Sequence, residues 1–406
     1  MDSLITAAAQ ALAGGNPMAA LKHVALRDDP PALALRGIAM AQLGDLPRAK
    51  MLLRRAGRAF GPHEPVARAR CAVAEAEIAL VARDLSGPGD VLGAARAALD
   101  AHGDRVNAAH AGYLEARRLL LIGRLDQAER MLATVAAEAL TPASRTGFWL
   151  VAAGIAMRRV RAAPARAALD RARQAAHEAA IPALLAEVVA ASRALDAPAA
   201  RLIARDGARL LVLAEVEGLI ASDTLVVDAC RMIVRVGSSV VPLSGRPVLF
   251  ALVRALAEAW PSDASRETLL ARAFRARHAD ESHRARLRVE IGRLRKTLAA
   301  MAALDATRRG YRLTPHRVHT AAVLASPIEG AHEQVLALLA DGDAWPSSAL
   351  ALALGVSARS VQRALEALAR DGTVESSGRG RSRRWMAPNV PGFPTSLLLP
   401  GPRGRS

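Results

Sequence analysis

Three times in its first 130 residues the chain writes the same short pattern. It is Gly44-Asp45-Leu46-Pro47-Arg48-Ala49, then Gly89-Asp90-Val91-Leu92-Gly93-Ala94, then Gly123-Arg124-Leu125-Asp126-Gln127-Ala128. Each reads as a helix-ending Gly, an apolar residue two positions later, and a small Ala where the next helix begins. A second Ala follows seven residues on at Ala49/Ala56 and Ala94/Ala101, and the same spacing recurs without the Gly at Ala165/Ala172. Gly permits the left-handed turn that stops one helix, and Ala lets the next pack closely against it. A hairpin of two helices cannot bury its apolar face alone, so such units stack. The composition agrees: 52% of residues are hydrophobic but only 3% aromatic, and Ala and Leu are the best helix formers.

The intervals of about 45 and 34 residues between these glycines lie in the range of helical solenoids. The pattern resembles the tetratricopeptide repeat over roughly residues 5–205, with the repeat's usual large aromatics mostly replaced. This implies a helical-repeat domain over residues 1–222, with a concave groove for a peptide, a protein or a small ligand, or a surface for self-association as a homodimer. No residue of it stands out as a site, and its Arg residues are interspersed with acids as on solvated helix faces.

Composition shifts near Asp223. Thr224–Ala229 and Arg231–Val236 are β-branched runs, and Gly237-Ser238-Ser239 turns into Val240-Val241-Pro242-Leu243. Helices are expected over Arg246–Trp260, Ser265–Phe274 and Ser282–Met301, then a hairpin around Arg309-Gly310-Tyr311. In the last helix Leu287, Ile291, Leu294 and Leu298 recur at spacings of 4, 3 and 4 and form one buried stripe. The opposite face holds Ala285, Val289, Gly292, Arg293 and Lys296, flanked by Arg284, Arg286, Arg288 and Arg295. Glu290 is the only acid between residues 284 and 298. Small residues beside Arg allow close approach to a groove floor while the flanking guanidiniums reach phosphates. Arg293 is the best candidate to contact a base and Val289 to meet a thymine methyl. The cluster Arg277–His283 is better explained by Asp280 and Ser282 as helix caps than as a metal site.

This order resembles the effector domain of OmpR/PhoB-type winged-helix regulators over residues 223–315. The resemblance rests on Pro242-Leu243-Ser244-Gly245-Arg246, on Val289–Leu298 and on Arg309-Gly310-Tyr311-Arg312-Leu313. It implies that Arg308 and Arg309 on the wing reach a minor groove or phosphates, with Tyr311 in the core of the hairpin. That family usually carries a phosphoacceptor domain upstream; here a helical repeat stands there, so control by phosphorylation is not supported.

After a linker at Thr314–Pro327 a second unit is expected over residues 326–388. Helices are read at Gly330–Asp341 and Ser347–Leu354, and Ser357 caps a third running to Arg370. The stretch Leu354-Gly355-Val356-Ser357-x-x-Ser360-Val361-x-x-Ala364-Leu365-x-x-Leu368 resembles the helix-turn-helix of many bacterial winged-helix regulators. Its buried stripe leaves Arg359, Ser360, Gln362 and Arg363 at the end of the helix that enters a major groove in that family. A Gly-rich basic hairpin follows, with Arg379, Arg381, Arg383 and Arg384 as phosphate or minor-groove ligands. The tail over 389–406, rich in Pro, Gly and Arg, reads as disordered.

Charge agrees with position. The formal net charge is +17, of which about +6 falls in residues 1–222 and about +11 in 223–406. A GC-rich genome also inflates Arg and Ala, so the clustering, not the sum, points to nucleic acid. Cys71 and Cys230 are too isolated for a disulfide framework or a zinc site. The N-terminus lacks a secretory pattern and no apolar run spans a membrane. No phosphate loop, GxSxG or HExxH is present, so neither catalysis nor a cofactor nor a metal is expected. The fold expected is mainly α, a tetratricopeptide-like solenoid followed by two winged helix-turn-helix domains. The function expected is that of a cytoplasmic, nucleoid-associated transcription regulator of double-stranded DNA. A replication-initiator-like protein and a repeat scaffold tethered non-specifically to DNA are the alternatives.

Overall fold

The computed structural model of the chain describes residues 2–85, 90–205, 207–243, 245–274, 281–318, 320–325, 327, 332–339, 344–378, 380 and 383–386. They fall into two compact units. One gathers residues 1–159, 163–194 and the described residues from 334 on; the other gathers 160–162 and 195–333.

The first unit opens with eleven helices among the described residues, stacked in pairs: α1 (Ser3–Ala13), α2 (Pro17–Val24), α3 (Pro30–Gln42), α4 (Leu46–Ala59), α5 (Pro65–Val81), α6 (Val91–Ala101), α7 (Arg105–Leu121), α8 (Leu125–Ala133), α9 (Pro142–Arg158), α10 (Ala162–Ala179) and α11 (Pro182–Asp196). Short polar caps set their starts. Asn16 Oδ1 accepts from the Ala19 N–H at 3.0 Å and Asp45 Oδ1 from the Arg48 N–H at 3.1 Å, each cap worth about 1 kcal/mol. Gly44 and Gly123 take φ of +86° and +76°, the left-handed turn that a side chain would strain. Ala49, Ala56, Ala165 and Ala172 are fully buried, as their spacing predicts. In α6 the register slips by one: Ala94 and Ala101 face solvent, and Leu92, Ala95 and Leu99 are buried instead. Gly89 lies outside the described residues.

The second unit is built on a six-stranded sheet in the order β2-β1-β9-β3-β4-β5. Its strands are β1 (Ala200–Ala204), β2 (Gly207–Leu211), β3 (Leu225–Asp228), β4 (Ile233–Val236), β5 (Ser239–Pro242) and β9 (Ala321–Ala325). All neighbours are antiparallel except β3 and β9, which run parallel with Leu225 opposite Ala321. Two of these strands fall where the sequence reading placed none. Residues 200–211, read as the end of the helical repeat, form a hairpin in which Ala204 pairs with Gly207. Residues 321–325, read as linker, form a strand buried along its whole length. Both segments are Ala-rich and lack the β-branched alternation that marks a strand; sheet neighbours decide their conformation.

On this sheet follow α12 (Leu213–Ala221), α13 (Pro247–Ala259), β6 (Ala264–Ser265), α14 (Arg266–Phe274), α15 (Glu281–Leu298), β7 (Ala302–Ala306) and β8 (Gly310–Pro315). The strands β6, β8 and β7 make a small separate sheet in that order. One apolar cluster joins Leu249, Leu252 and Leu256 of α13 to Leu269 of α14, the α15 stripe and Leu313 of β8. The α15 stripe, Leu287, Ile291, Leu294 and Leu298, is buried as expected.

Chain from residue 333 on forms α16 (Glu333–Leu339), α17 (Ser347–Leu354), α18 (Ala358–Arg370), β10 (Glu375–Ser377) and β11 (Arg384–Met386). Trp345 and Trp385 exchange two backbone hydrogen bonds of 2.8 Å and are both buried. Ser357 caps α18, accepting from the Ser360 N–H at 3.2 Å, and Gly355 ends α17 in the left-handed region. This segment shares an apolar core with α5, α6, α7, α8 and α9: the Arg83 guanidinium lies 4.9 Å above the Trp345 ring. Among the described residues no helix is long and apolar enough to cross a membrane.

Candidate nucleic-acid interface

Helix, short strand, helix, helix, hairpin is the order of both α13–β8 and α16–β11, the short strand of the second being the single bridge at Trp345. In each, the last helix buries one stripe and turns a basic face outward.

On α15, Ala285, Val289, Arg293 and Lys296 are exposed, and Val289 is an apolar side chain left 54% open. A Cβ at Gly292 would meet nothing within 4 Å. The face is therefore both basic and low. Its guanidiniums are not equally free. Arg284 and Arg288 share Glu281 at 3.6 and 3.4 Å, and Arg293 meets Glu290 at 2.8 Å. The Arg286 guanidinium stacks 4.7 Å from the Phe274 ring. Lys296 makes no ion pair or hydrogen bond among the described residues. Arg295, read as a flank residue, instead donates to the Leu304 carbonyl at 2.8 Å and so ties α15 to β7. Ser282 lies inside α15, while Asp280 falls outside the described residues.

The turn between β7 and β8 presents Arg308 and Arg309, both exposed and without a side-chain hydrogen bond or salt bridge among the described residues. Arg266 fixes this turn from below, donating to the Arg308 carbonyl at 2.7 Å and the Thr307 carbonyl at 3.1 Å. The Thr307 hydroxyl donates to Asp263 at 2.5 Å and, with Arg309 and Arg312 nearby, holds that carboxyl below its usual range. Gly310 is required by contact: a Cβ there would stand 1.8 Å from the Ala264 carbonyl oxygen. Tyr311 is buried. Sequence reading missed Arg266 because its partners lie more than 40 residues away.

On α18, Val361, Ala364, Leu365 and Leu368 are buried. Arg359, Ser360 and Arg363 are exposed; Gln362 is half-buried and donates to Glu366 at 2.8 Å. Ser360 pairs with the Ser357 hydroxyl at 2.9 Å. Arg359 and Arg363 have no partner among the described residues. Of the hairpin arginines, Arg383 stacks 4.2 Å from the Trp385 ring and donates to Ser376 at 3.1 Å. Arg384 is half-buried and donates to the Arg383 carbonyl at 3.3 Å. Arg379 and Arg381 lie outside the described residues. No group of three His, Cys, Asp or Glu that could hold a metal occurs among the described residues.

No protein-family model, no curated protein and no solved structure matches this chain.

Proposed function

We propose that the chain is a sequence-specific regulator of double-stranded DNA, with two unlike winged-helix units carried by a tetratricopeptide-like domain that binds a partner or ligand. The observation that carries this reading is the outward face of α15. There Val289, Arg293 and Lys296 surround the bare backbone at Gly292, opposite a fully buried stripe. A helix face of that relief fits a major groove, where small residues admit the helix and long basic ones reach base edges and phosphates. Arg308 and Arg309, on a turn pinned by Arg266, supply the adjoining phosphate or minor-groove contacts. The same order of elements recurs at α16–β11, with Arg359 and Arg363 free at the start of α18. The repeat is the regulatory part in this reading, and the basic face is the output.

In vitro selection of the full chain against a random duplex pool tests it. Two unequal half-sites are expected to emerge. On that site Arg293→Ala and Arg363→Ala should each cost about 1–3 kcal/mol and relax one base position, and Lys296→Ala should reduce the salt slope by about one. A pool that enriches nothing, with binding that fades steeply in salt, overturns the reading in favour of a non-specific tether. Iterated identical repeats would point to an initiator instead.

A further inference from the structure

Inside the helical repeat, between α5, α7, α9 and α11, lies a cavity of about 290 Å³. Its volume is at the small end of ligand pockets, which run from about 300 Å³ upward. Leucines of α7, α9 and α11 make one side of it. Its charged and polar lining is Glu77, Arg83, Tyr113, Arg117, Ser144 and Glu187, two groups of each sign with a phenol and a hydroxyl.

Tyr113 on α7 is only 4% exposed, and its phenol lies against Gly147 of α9, where a Cβ would stand 3.1 Å from the hydroxyl oxygen. That hydroxyl has no hydrogen bond among the described residues. The oxygen is not sealed from solvent, so it is open to a hydrogen bond from within the cavity. Arg117, one turn further along α7, has a single partner among the described residues, the Glu187 carboxylate of α11 at 3.9 Å. At that distance no hydrogen bond forms, so the fork of guanidinium donors and both carboxylate oxygens stay unspent. The Glu187 side chain keeps 31% of its surface open and that of Arg117 19%, so both face accessible space.

One wall is already satisfied and therefore rigid. The Ser144 hydroxyl accepts from Thr141 at 3.1 Å and pairs with His110 Nδ1 at 3.0 Å; His110 Nε2 meets Glu77 at 3.1 Å. His110 is wholly buried and Glu77 nearly so. This chain crosses from α9 through α7 to α5 and holds the three helices at fixed spacing around the open groups.

A pure anion would use Arg117 and be repelled by Glu187; a pure cation would meet the reverse. Only a molecule carrying both signs on neighbouring atoms spends both. We propose that the cavity binds a small zwitterion with an apolar body, of the α-amino-acid class. Its carboxylate accepts from Arg117 and the Tyr113 hydroxyl, its ammonium group donates to Glu187, and its side chain lies along the leucines. This site stands apart from the DNA-binding reading, and neither depends on the other.

Thermal-shift screening of the full chain against the twenty free amino acids at millimolar concentration, then calorimetric titration, tests it without DNA. At least one apolar amino acid is expected to raise the melting temperature. Its N-acetyl and carboxamide derivatives, each lacking one charge, are expected to bind at least about tenfold more weakly. Tyr113→Phe, which removes one oxygen and keeps the packing, should weaken binding about tenfold without lowering the melting temperature of the free protein; Glu187→Gln should do likewise. Should Arg117→Met fail to fold, those two variants carry the test. No shift with any amino acid, equal binding of the capped derivatives, or unchanged affinity in folded Tyr113→Phe overturns the proposal.

Discussion

An arginine is available to a phosphate only where its own chain has not already used its donors, and the basic residues here differ in that respect. Arg359 and Arg363 project without a partner among the described residues, while Arg383 is stacked on Trp385 and bonded to Ser376. The two kinds should respond in opposite ways. Under the proposed function, Arg363→Ala is expected to weaken DNA binding and leave thermal stability unchanged. Arg383→Ala is expected to lower stability by about 0.5–1 kcal/mol, the worth of an exposed cation–π contact, and to affect DNA less. Binding isotherms and melting curves on both variants check this; the reverse pattern would move the proposed DNA face from α18 to β11. Arg293 sits between the two kinds. Its pair with Glu290 is exposed on the Arg side and therefore worth under about 1 kcal/mol, so it can be exchanged for a base edge. A separate prediction concerns the thiols. Burial, with Glu75 nearby, pushes Cys71 up to about 12, whereas Cys230 is exposed. Since only the thiolate reacts, a disulfide reagent at neutral pH should modify one thiol per native chain and two after denaturation. Two fast equivalents in the native protein would contradict this burial.

At the scale of elements, the close approach of β6 to β8 is the most demanding contact. Gly310→Ala would place a carbon inside the Ala264 carbonyl, so the strands must part. A loss of more than about 3 kcal/mol is expected, beyond the usual cost of an overpacked site. Melting of the variant measures it; a loss under about 1 kcal/mol would mean that the turn relaxes freely. Elements also show how far sequence alone could reach. The outward faces of α15 and α18 were legible because a period of 3.6 fixes both faces of a helix once four apolar residues are placed. The use of Arg295 and Arg266 as braces was not, since their acceptors are backbone carbonyls, which carry no side-chain signal, and those of Arg266 lie more than 40 residues away. The hairpin at 200–211 did carry one signal, Asp206-Gly207, the dipeptide most favoured in tight hairpins. The flanking Ala, Leu and Arg are strong helix formers. For β9 there was no signal at all: Ala-Ala-Val-Leu-Ala becomes a strand because β1 and β3 lie on either side of it.

On the scale of the molecule, the chain does not follow its own order. Residues beyond 333 return to the first unit, and their tryptophan pair shares a core with α5, α7 and α9. No periodicity encodes a contact such as Arg83 with Trp345, separated by more than 250 residues, which is why the sequence reads as three successive domains. The shared core predicts shared stability. Trp345→Ala should cost about 3–5 kcal/mol, as for a large buried side chain, and should speed amide exchange in α7 as well as α17. Exchange that rises only in α17 would show two cores rather than one.

That return has a consequence in time. During synthesis α5 and α7 leave the ribosome more than 200 residues ahead of Trp345 and Trp385. At about 5–20 residues per second, the face they cover waits on the order of ten seconds or more. Through that interval the nascent repeat is an incomplete body with an apolar patch open, and the whole second unit must emerge before it is closed. The segment that carries Trp345 and Trp385 thus acts as the lock on α5, α7 and α9, so damage there is felt more than 200 residues upstream.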